Sequence, residues 1–552
     1  MARYEYKPFP YRKPPELADG RGGRWPVLIV GAGPIGLSAA IDLALHGVRC
    51  VLFDDNNVVS RGSRAICWSK RTLEIFDRLG VGERMVKKGV TWKVGRLYHG
   101  DREVYAFDLL PEAGHKNPAF INLQQYYVEQ YLVERALEFP ELIDLRFMNK
   151  VTDVRQSDDA VRVEVETPDG RYRIEGEHLI ACDGAKSAVR AILGVEFKSH
   201  IFPEQFLITD VEMKADFPSE RRFWFEPTFH NGQSALLHKQ PDDIYRIDLQ
   251  LTPNADPKEE IKPEHVIPRI KAAVGDRPFE IDWVSLYTFQ CGRIDRFVHG
   301  RVIFAGDSAH VVSPFGARGG NGGIQDVDNL VWKLAAVLAG TAPRVLIETY
   351  NAERVYGADE NIRNSSHSTN FMTPKNAFER LLRDEVLGLA ESYPFARRLV
   401  NSGRLSLPCS LAGFTLQSAD DPAMSGAMVP GAACLDAPVR DISGRPGWLL
   451  DHLGGDFVVM SFGIPAPARQ DVRSLVIGSE PIAGVETLCD ENGLVAERYG
   501  GREGAAYLIR PDQHVAARFA EPTADKIAGA LARARACSGK VEAVFRYEHA
   551  PR

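Results

Sequence analysis

The chain has 552 residues, of which 44% are hydrophobic and 26% are charged. At about 150 residues per domain this length corresponds to three or four domains, which excludes a peptide, a small disulfide scaffold and a lone binding module. The net charge of −7 provides no basic field for nucleic acid or anionic lipid, so small-molecule partners are expected.

The eight cysteines are scattered, with no C-x-x-C pair and no cysteine and histidine cluster at zinc spacing. This pattern fits a reducing compartment and predicts no metal site. Residues 1–24 are polar and rich in proline and glycine, which indicates an N-terminal arm, and no stretch approaches 18 uncharged apolar residues. We therefore expect a cytoplasmic protein that binds neither nucleic acid nor membrane.

After the arm come an apolar segment, a glycine-rich turn, a helical pattern that begins at Pro34, and a second apolar segment. This order predicts a strand, helix, strand unit at the start of a doubly wound α/β sheet. Gly31 permits the tight turn, Gly33 lets backbone approach a pyrophosphate at the helix N-terminus, and Gly36 lets helix and strand pack closely. Asp54, after the second strand, can accept hydrogen bonds from ribose hydroxyls. The turn alone leaves FAD and NAD open.

Further along, long alternating segments between residues 197 and 290 indicate a mostly antiparallel sheet inserted into the α/β domain. A buried-type strand at 301–305 is followed by a glycine-rich turn and a helix predicted from about Gly323 to Leu338. The predicted domains are an arm at 1–24, a cofactor domain at 25–196 and 291–400, the inserted sheet at 197–290, a linker at 401–429 and a small α/β domain at 430–552.

Two later segments narrow the choice of cofactor. Asp183-Gly184 follows a short strand, and Gly306-Asp307 follows another more than 100 residues on, with Pro314-Phe315-Gly316 shortly after it. With the first turn, these motifs resemble those of the single-component FAD-dependent aromatic hydroxylases, the family of p-hydroxybenzoate hydroxylase and phenol hydroxylase. The segments RRFWF and RIDLQ resemble the 3-(3-hydroxyphenyl)propionate hydroxylase-like subgroup.

The resemblance implies a Rossmann-like FAD-binding domain of the glutathione reductase type, an inserted substrate sheet and a C-terminal thioredoxin-like domain. It also implies a reaction in which NADH or NADPH reduces FAD, O₂ adds to form a C4a-hydroperoxide, and one oxygen passes to a phenolic ring. A homodimer is implied as well. The C-terminal stretch lacks C-x-x-C, so dithiol chemistry is not expected there.

Several cofactor contacts follow from the resemblance. It implies that Asp307 binds the ribityl chain, that residues 316–323 lie beside the isoalloxazine ring, and that the Asp183 segment is associated with NAD(P)H, with Arg190 as a charge partner. A helix N-terminus beside the ring would stabilise negative charge on reduced flavin. The implied FAD-binding set beyond the first turn is Arg64, Gln125, Asp183, Gly306, Asp307, Pro314, Gly316, Gly319, Gly320 and Asn321.

Substrate contacts are expected on the inserted sheet. By the period of two, His238 and Gln240 share one strand face, and Arg246 and Asp248 share a face of the next strand. By position, His238 and Gln240 resemble the strand that faces the substrate in p-hydroxybenzoate hydroxylase. We expect His238 to accept a phenolic proton and Arg246 or Asp248 to orient it. The alternative is that these are solvated or structurally bonded residues.

Other candidates have open alternatives. Phe223 and Phe225 either line the substrate pocket or belong to the core, and Pro314 is counted with the catalytic candidates. Phenol hydroxylase carries an acid shortly after the counterpart of Arg64, whereas this chain has Ile66 and Cys67, so that enzyme's substrate activation does not transfer. The competing function is a flavin-binding redox sensor or scaffold without turnover.

Overall fold

The computed structural model describes residues 4–19, 23–62, 64–230, 233–252, 255–400, 405–467 and 469–538. Parts of the predicted arm, of the linker and of the C-terminal stretch lie outside the described residues. The strands, numbered in chain order, are β1 Arg24–Val30, β2 Cys50–Phe53, β3 Cys67–Ser69, β4 Val90–Trp92, β5 Val94–His99, β6 Arg102–Asp108, β7 Phe120–Asn122, β8 Ile143–Arg146, β9 Lys150–Gln156, β10 Val161–Thr167, β11 Gly170–Ala181, β12 Lys198–Glu212, β13 Arg221–Phe225, β14 Ala235–Lys239, β15 Ile244–Gln250, β16 Glu280–Arg293, β17 Val298–His299, β18 Val302–Phe304, β19 His310–Val311, β20 Pro438–Asp441, β21 Pro446–Trp448, β22 Val458–Phe462, β23 Arg473–Ile477, β24 Glu486–Cys489, β25 Ala506–Ile509 and β26 Val515–Phe519.

The helices are α1 Pro15–Asp19, α2 Pro34–Leu45, α3 Lys70–Arg78, α4 Gly82–Lys88, α5 Gln125–Ala136, α6 Ala188–Ile192, α7 Pro257–Glu260, α8 Pro263–Val274, α9 Gly319–Leu338, α10 Val345–Met372, α11 Ala377–Ser392, α12 Pro394–Val400, α13 Leu494–Tyr499 and α14 Ala524–Ala534. Among the described residues, none of these helices combines the length and apolar character needed to cross a bilayer.

The first large sheet has the order β17-β18-β11-β1-β2-β8, with β9 and β10 as an antiparallel extension of β11. Val30 at the end of β1 lies opposite Phe53 of β2 and Ala181 of β11, and Ala181 lies opposite Phe304 of β18. These four strands are parallel and end level with one another. The residues that directly follow them therefore meet along one edge, where ligands bind in open α/β sheets.

The second large sheet has the order β19-β16-β12-β15-β14-β13-β5-β6 and is antiparallel except between β13 and β5. The predicted inserted segment supplies β12 to β16, but the hairpin β5–β6 comes from the stretch that the sequence assigned to the cofactor domain. That hairpin covers the edge of β13, which would otherwise expose unpaired backbone groups. Phe206 on one face packs against Phe315 of the cofactor domain, and α8 covers the other face.

Helix α9 begins at Gly319, one turn earlier than predicted. The run Gly319-Gly320-Asn321-Gly322-Gly323 indicated a turn because glycine is costly inside helices. Packing explains the helix: a Cβ atom on Gly323 would lie 2.6 Å from Cδ1 of Ile35 on α2. A side chain at this position would press on Ile35, so glycine favours the close packing of α9 on α2.

The C-terminal sheet has the order β21-β20-β24-β23-β22-β25-β26, in which β22, β23 and β24 are parallel. It docks on α9 and α10 through buried charges. Arg510, beyond β25, donates to Glu353 of α10 at 2.8 Å, and Lys333 of α9 donates to the same carboxylate at 2.7 Å. Burial alone would raise the pKa of Glu353, but Arg510 and Lys333 outweigh it and hold that pKa well below its usual range.

The N-terminal arm packs along the cofactor domain. Phe9 stacks on Phe147 with ring centroids 4.6 Å apart, and Glu16 forms a buried ion pair with Arg146 at 2.8 Å. The Tyr6 hydroxyl accepts a hydrogen bond from the N–H of Gly62 at 3.2 Å. The described part of the arm is therefore ordered against the loop that leads to β3.

Candidate active site

The turn after β1 is closed on two sides and open on the third. Gly31 has φ of 101°, and a Cβ atom on it would lie 2.5 Å from the carbonyl oxygen of Cys182. A Cβ atom on Gly36 would lie 1.9 Å from the carbonyl oxygen of Gly31, so α2 and the turn are in direct contact. A Cβ atom on Gly33 would meet no described atom within 4 Å. The open side at Gly33 is a cradle for a ligand at the start of α2.

The start of α2 offers donors to that cradle. Gly33 caps the helix without a side-chain hydrogen bond and Pro34 follows it, so the free N–H groups of the first turn and the positive end of the helix dipole favour a phosphate. Asp54 accepts hydrogen bonds from the N–H groups of Ala32 at 2.7 Å and Asn56 at 2.9 Å. Its remaining lone pairs can accept from a sugar hydroxyl. Burial raises the pKa of Asp54.

Asp307 follows β18 at the same sheet edge. Its side chain is open to the cleft, yet enough protein surrounds it that burial raises its pKa. The preceding N–H of Gly306 donates to Asp326 of α9 at 3.0 Å, and Asp326 also accepts from His310 at 2.6 Å and Arg354 at 2.7 Å. Burial would raise the pKa of Asp326, but His310 and Arg354 lower it. The ionised Asp326 side chain therefore fixes the turn that positions Asp307.

Asp183 lies between these two turns. Its carboxylate accepts a hydrogen bond from the N–H of Val189 at 3.0 Å, which ties it to α6. Arg190 donates to the carbonyl oxygens of Ser308 at 3.0 Å and Ala185 at 2.6 Å. Arg190 therefore joins the Asp183 segment to the turn that holds Asp307.

Gln125 organises the loop that carries Arg64. Its side-chain oxygen accepts from the N–H of Ala65 at 3.1 Å, and its amide nitrogen donates to Ser60 at 3.2 Å and Glu129 at 2.8 Å. The Arg64 side chain is exposed. Burial raises the pKa of Asp307, and the charge of Arg64 partly offsets that rise.

The start of α9 faces the same region. Pro314 and Gly316 belong to the preceding turn, in which the carbonyl of Pro314 accepts from the N–H of Ala317 at 3.1 Å. Asn321 accepts from the N–H of Ser69 at 2.9 Å and donates to the carbonyl of Cys67 at 2.9 Å. Its side chain thus fastens the helix start to β3, and backbone N–H groups of the first turn are left as donors to the cleft, including those of Gly319 and Gly320.

The sheet face opposite this turn carries a row of polar side chains. His238 of β14 lies opposite Arg246 of β15, and Arg246 lies opposite Asp210 of β12. The Arg246 guanidinium donates to both oxygens of Asp210 at 2.8 Å, and Gln240 donates to Asp210 at 3.0 Å. Arg246 and Gln240 are therefore held by a partner that the sequence analysis missed.

His238 and Asp248 have strongly perturbed pKa values. Burial lowers the pKa of His238 well below its usual range, and the charges of Arg221 and Arg246 lower it further. The imidazole is therefore neutral, and its protonation is disfavoured. Burial raises the pKa of Asp248 to about 6.

An apolar cavity lies among β5, β13, the turn before α9 and the end of α10. Its empty volume is about 540 Å³ including its open mouth, and Phe223, Phe225, Phe315, Gly316 and Arg221 are among its lining residues. Phe223 and Phe225 are also more than nine-tenths buried within an aromatic cluster. The two interpretations of these phenylalanines are thus compatible, because they form a core wall that borders the cavity.

The described residues fit FAD. Two cradles lined by backbone N–H groups, an acid beyond β2 and an acid in the cleft beyond β18 match a cofactor with a pyrophosphate, two sugar-like chains and a ring that gains negative charge. The FAD binding domain family matches residues 24–365. The chain belongs to the FAD-dependent aromatic hydroxylases. Two further comparisons agree on this family and its fold.

Relatives of this hydroxylase share most of its length. A flavin-dependent monooxygenase of Mycobacteroides abscessus is 31% identical over 472 residues, which cover 81% of this chain and 90% of the relative. A 3-(3-hydroxy-phenyl)propionate/3-hydroxycinnamic acid hydroxylase of Burkholderia cenocepacia is 28% identical, over 90% of this chain and 94% of the relative. The prediction of a FAD-dependent monooxygenase is confirmed.

The fold of the hydroxylase also matches solved structures. The flavin-dependent monooxygenase PieE, solved with FAD and substrate, is 23% identical and superposes with a TM-score of 0.78 over 93% of this chain and 99% of that chain. The predicted α/β fold, with its inserted sheet and third domain, is confirmed.

Three residues of the hydroxylase site were not singled out by sequence reasoning. Asp210 and Asp326 are buried acids that hold other groups in place, and Arg221 lines the cavity. A period-two pattern in RRFWF places Arg221 on the same strand face as Phe223 and Phe225. That pattern was the available signal for Arg221, whereas the two acids pair with residues far away in sequence.

Proposed function

We propose that the protein hydroxylates a phenolic aromatic ring, using O₂ and electrons from NADH or NADPH. The observation that supports this is the apolar cavity whose walls include phenylalanines of β13 and of the turn before α9. Flat apolar pockets with a few placed polar groups suit aromatic ligands. The relative that acts on 3-(3-hydroxy-phenyl)propionate supports a phenol as the substrate class.

The residues toward FAD have distinct proposed roles. The N–H groups at the start of α2 hold the pyrophosphate, Asp54 accepts from ribose hydroxyls, and Asp307 accepts from the ribityl chain. N–H groups at the start of α9 stabilise negative charge on the ring. When bound, FAD supplies the electron storage and the oxygen activation that no side chain provides.

The cavity walls would orient the ring and exclude water. The phenylalanines keep the reacting region dry, which strengthens the few polar interactions made inside. We keep His238 as the proposed acceptor of a phenolic proton: burial and the neighbouring arginines lower its pKa, so the imidazole is neutral and one ring nitrogen can accept. Arg246 would act through Asp210 as a positioning residue.

The test is oxidation of NADH and of NADPH by the purified protein across a panel of substituted phenols, with peroxide and product mass measured in parallel. We expect one or more phenols to accelerate oxidation and to gain one oxygen atom. Oxidation that no phenol stimulates, with FAD bound, would overturn the proposal in favour of a redox sensor or scaffold.

We also propose a homodimer in the cytoplasm and the domain division given above, with the hairpin β5–β6 added to the substrate sheet. The free state of all eight cysteines supports a reducing compartment. Light scattering on the FAD-loaded protein tests the dimer, and a mass of one chain would refute it.

A further inference from the structure

Arg221 differs from the other arginines on its sheet. Arg222 donates to Glu220 at 2.8 Å, and Arg246 is paired with Asp210 at 2.8 Å. Within the described part of the chain, no hydrogen bond or ion pair joins Arg221 to another side chain. Arg221 instead lines the cavity beside Phe223; its side chain is partly buried, and burial lowers its pKa.

A guanidinium in this position is an unsatisfied binding group. The side chain is only partly buried, and no described protein side chain takes up its donors, so they are available to a ligand. The side chain carries a positive charge, because a guanidinium is not deprotonated in proteins. An anion that enters the cavity would supply the missing partner.

The neighbouring groups do not neutralise Arg221. The titratable or charged groups that face it are Cys67, Asp248, His238 and Arg246. Asp248 acts on Arg221 through space, but no ion pair within 4.0 Å joins them in the described residues. His238 is neutral and Arg246 is already paired, so Arg221 is the uncompensated cation of the group.

We propose that Arg221 binds an oxyanion carried by the aromatic substrate and thereby selects ionised ring compounds. This inference rests on the proposed function, because it assigns a residue to the substrate of that reaction. A phenolate and a ring carboxylate share the required chemistry, a planar aromatic group with a negative oxygen. A carboxylate can engage the guanidinium fork at two oxygens, whereas a phenolate offers one.

The test compares ligand binding to FAD-loaded protein, monitored by the change in flavin absorbance. The probes are 4-nitrophenol for the phenolate, 4-nitrobenzoate for the carboxylate, and 4-nitroanisole as a neutral ring of similar size. The variants are Arg221→Met, Arg221→Lys and the matched control Arg222→Met, which removes the adjacent arginine on the opposite strand face.

We expect Arg221→Met to weaken at least one oxyanion probe by about 10- to 100-fold, as for loss of a charge-assisted hydrogen bond. Binding of 4-nitroanisole should be unchanged, Arg221→Lys should recover part of the loss, and Arg222→Met should have no effect. If the phenolate is the anion, Arg221→Met should also raise the pKa of bound 4-nitrophenol, which its own absorbance reports. A loss confined to 4-nitrobenzoate would identify a carboxylate.

Equal losses for the anionic and neutral probes, or no loss for either anion, would overturn the assignment. Flavin absorbance in each variant shows that the fold and cofactor are retained. Failure of the proposed function is distinguishable, because wild-type protein would then give no hydroxylated product although Arg221 still governed anion binding. Conversely, if the wild-type protein hydroxylates phenols and Arg221→Met binds both anionic probes as tightly as wild type, this inference alone is refuted.

Discussion

Alanine substitutions at Gly33 and Gly36, which follow β1, are predicted to affect different properties of the protein. A Cβ atom on Gly36 would lie 1.9 Å from the backbone oxygen of Gly31, so the turn must open by about 1.5 Å to reach an ordinary contact distance of 3.4 Å. Backbone cannot yield as a side chain does, so we expect Gly36→Ala to destabilise the apoprotein by about 3 kcal/mol, the upper range for overpacking. Gly33 has φ of −76° and open space, so Gly33→Ala should leave apoprotein stability within about 0.5 kcal/mol of wild type.

For Gly33→Ala we expect the effect to fall on FAD affinity instead of on the stability of the apoprotein. The space above it is where we place the pyrophosphate, so a methyl group there should weaken FAD binding at least tenfold, or about 1.4 kcal/mol. The assay is urea denaturation of FAD-free protein, followed by fluorescence titration with FAD. The reasoning fails if Gly33→Ala binds FAD as wild type does, or if Gly36→Ala is as stable as wild type.

Three further predictions concern carboxyl groups. Asp307→Ala should give folded protein that retains less than a tenth of its FAD on gel filtration, and full retention would contradict its role. Burial raises the pKa of Asp248 to about 6, so the folded state binds this proton more tightly than the unfolded state does. The free energy of unfolding should therefore fall by about 3 kcal/mol at most as the pH rises from 4 to 6. Asp248→Asn should remove that fall in denaturation curves. Glu353→Gln leaves Arg510 and Lys333 without this carboxylate, so it should cost about 3–5 kcal/mol in thermal or urea unfolding, and an unchanged midpoint would refute the pairing.

The sequence was informative wherever chemistry depends on neighbours along the chain. The turn from Gly31 to Gly36, the acid after β2 and the pair Gly306-Asp307 each combine a strand end, a bend and a polar group within a few residues. Such combinations have a local physical cause, because a backbone that must approach a phosphate needs glycine at fixed offsets. The structure places all of them at one sheet edge, since the four strands before them are parallel and end together.

Sequence was less informative where partners come from separate strands. The period of two predicted that His238 and Gln240 share a strand face and that Arg246 and Asp248 share another. It could not show that these two pairs of residues lie on the same face of one sheet, nor that the Arg246 guanidinium forms an ion pair with Asp210. Strand order is set by pairing across long loops, and the residue pattern within one strand does not encode it.

The same limitation hid the most informative side chain of the cavity. In sequence, Arg221 and Arg222 are indistinguishable neighbours in a strand that reads as apolar with a charged end. The pleat sends them to opposite faces, so Arg222 meets Glu220 and Arg221 meets an apolar cavity. A single-residue shift of β13 against β14 would exchange these environments and place the paired arginine in the cavity. Register therefore determines whether the cavity holds a free cation, and that is why the Arg221 and Arg222 variants form a matched test of one mechanism.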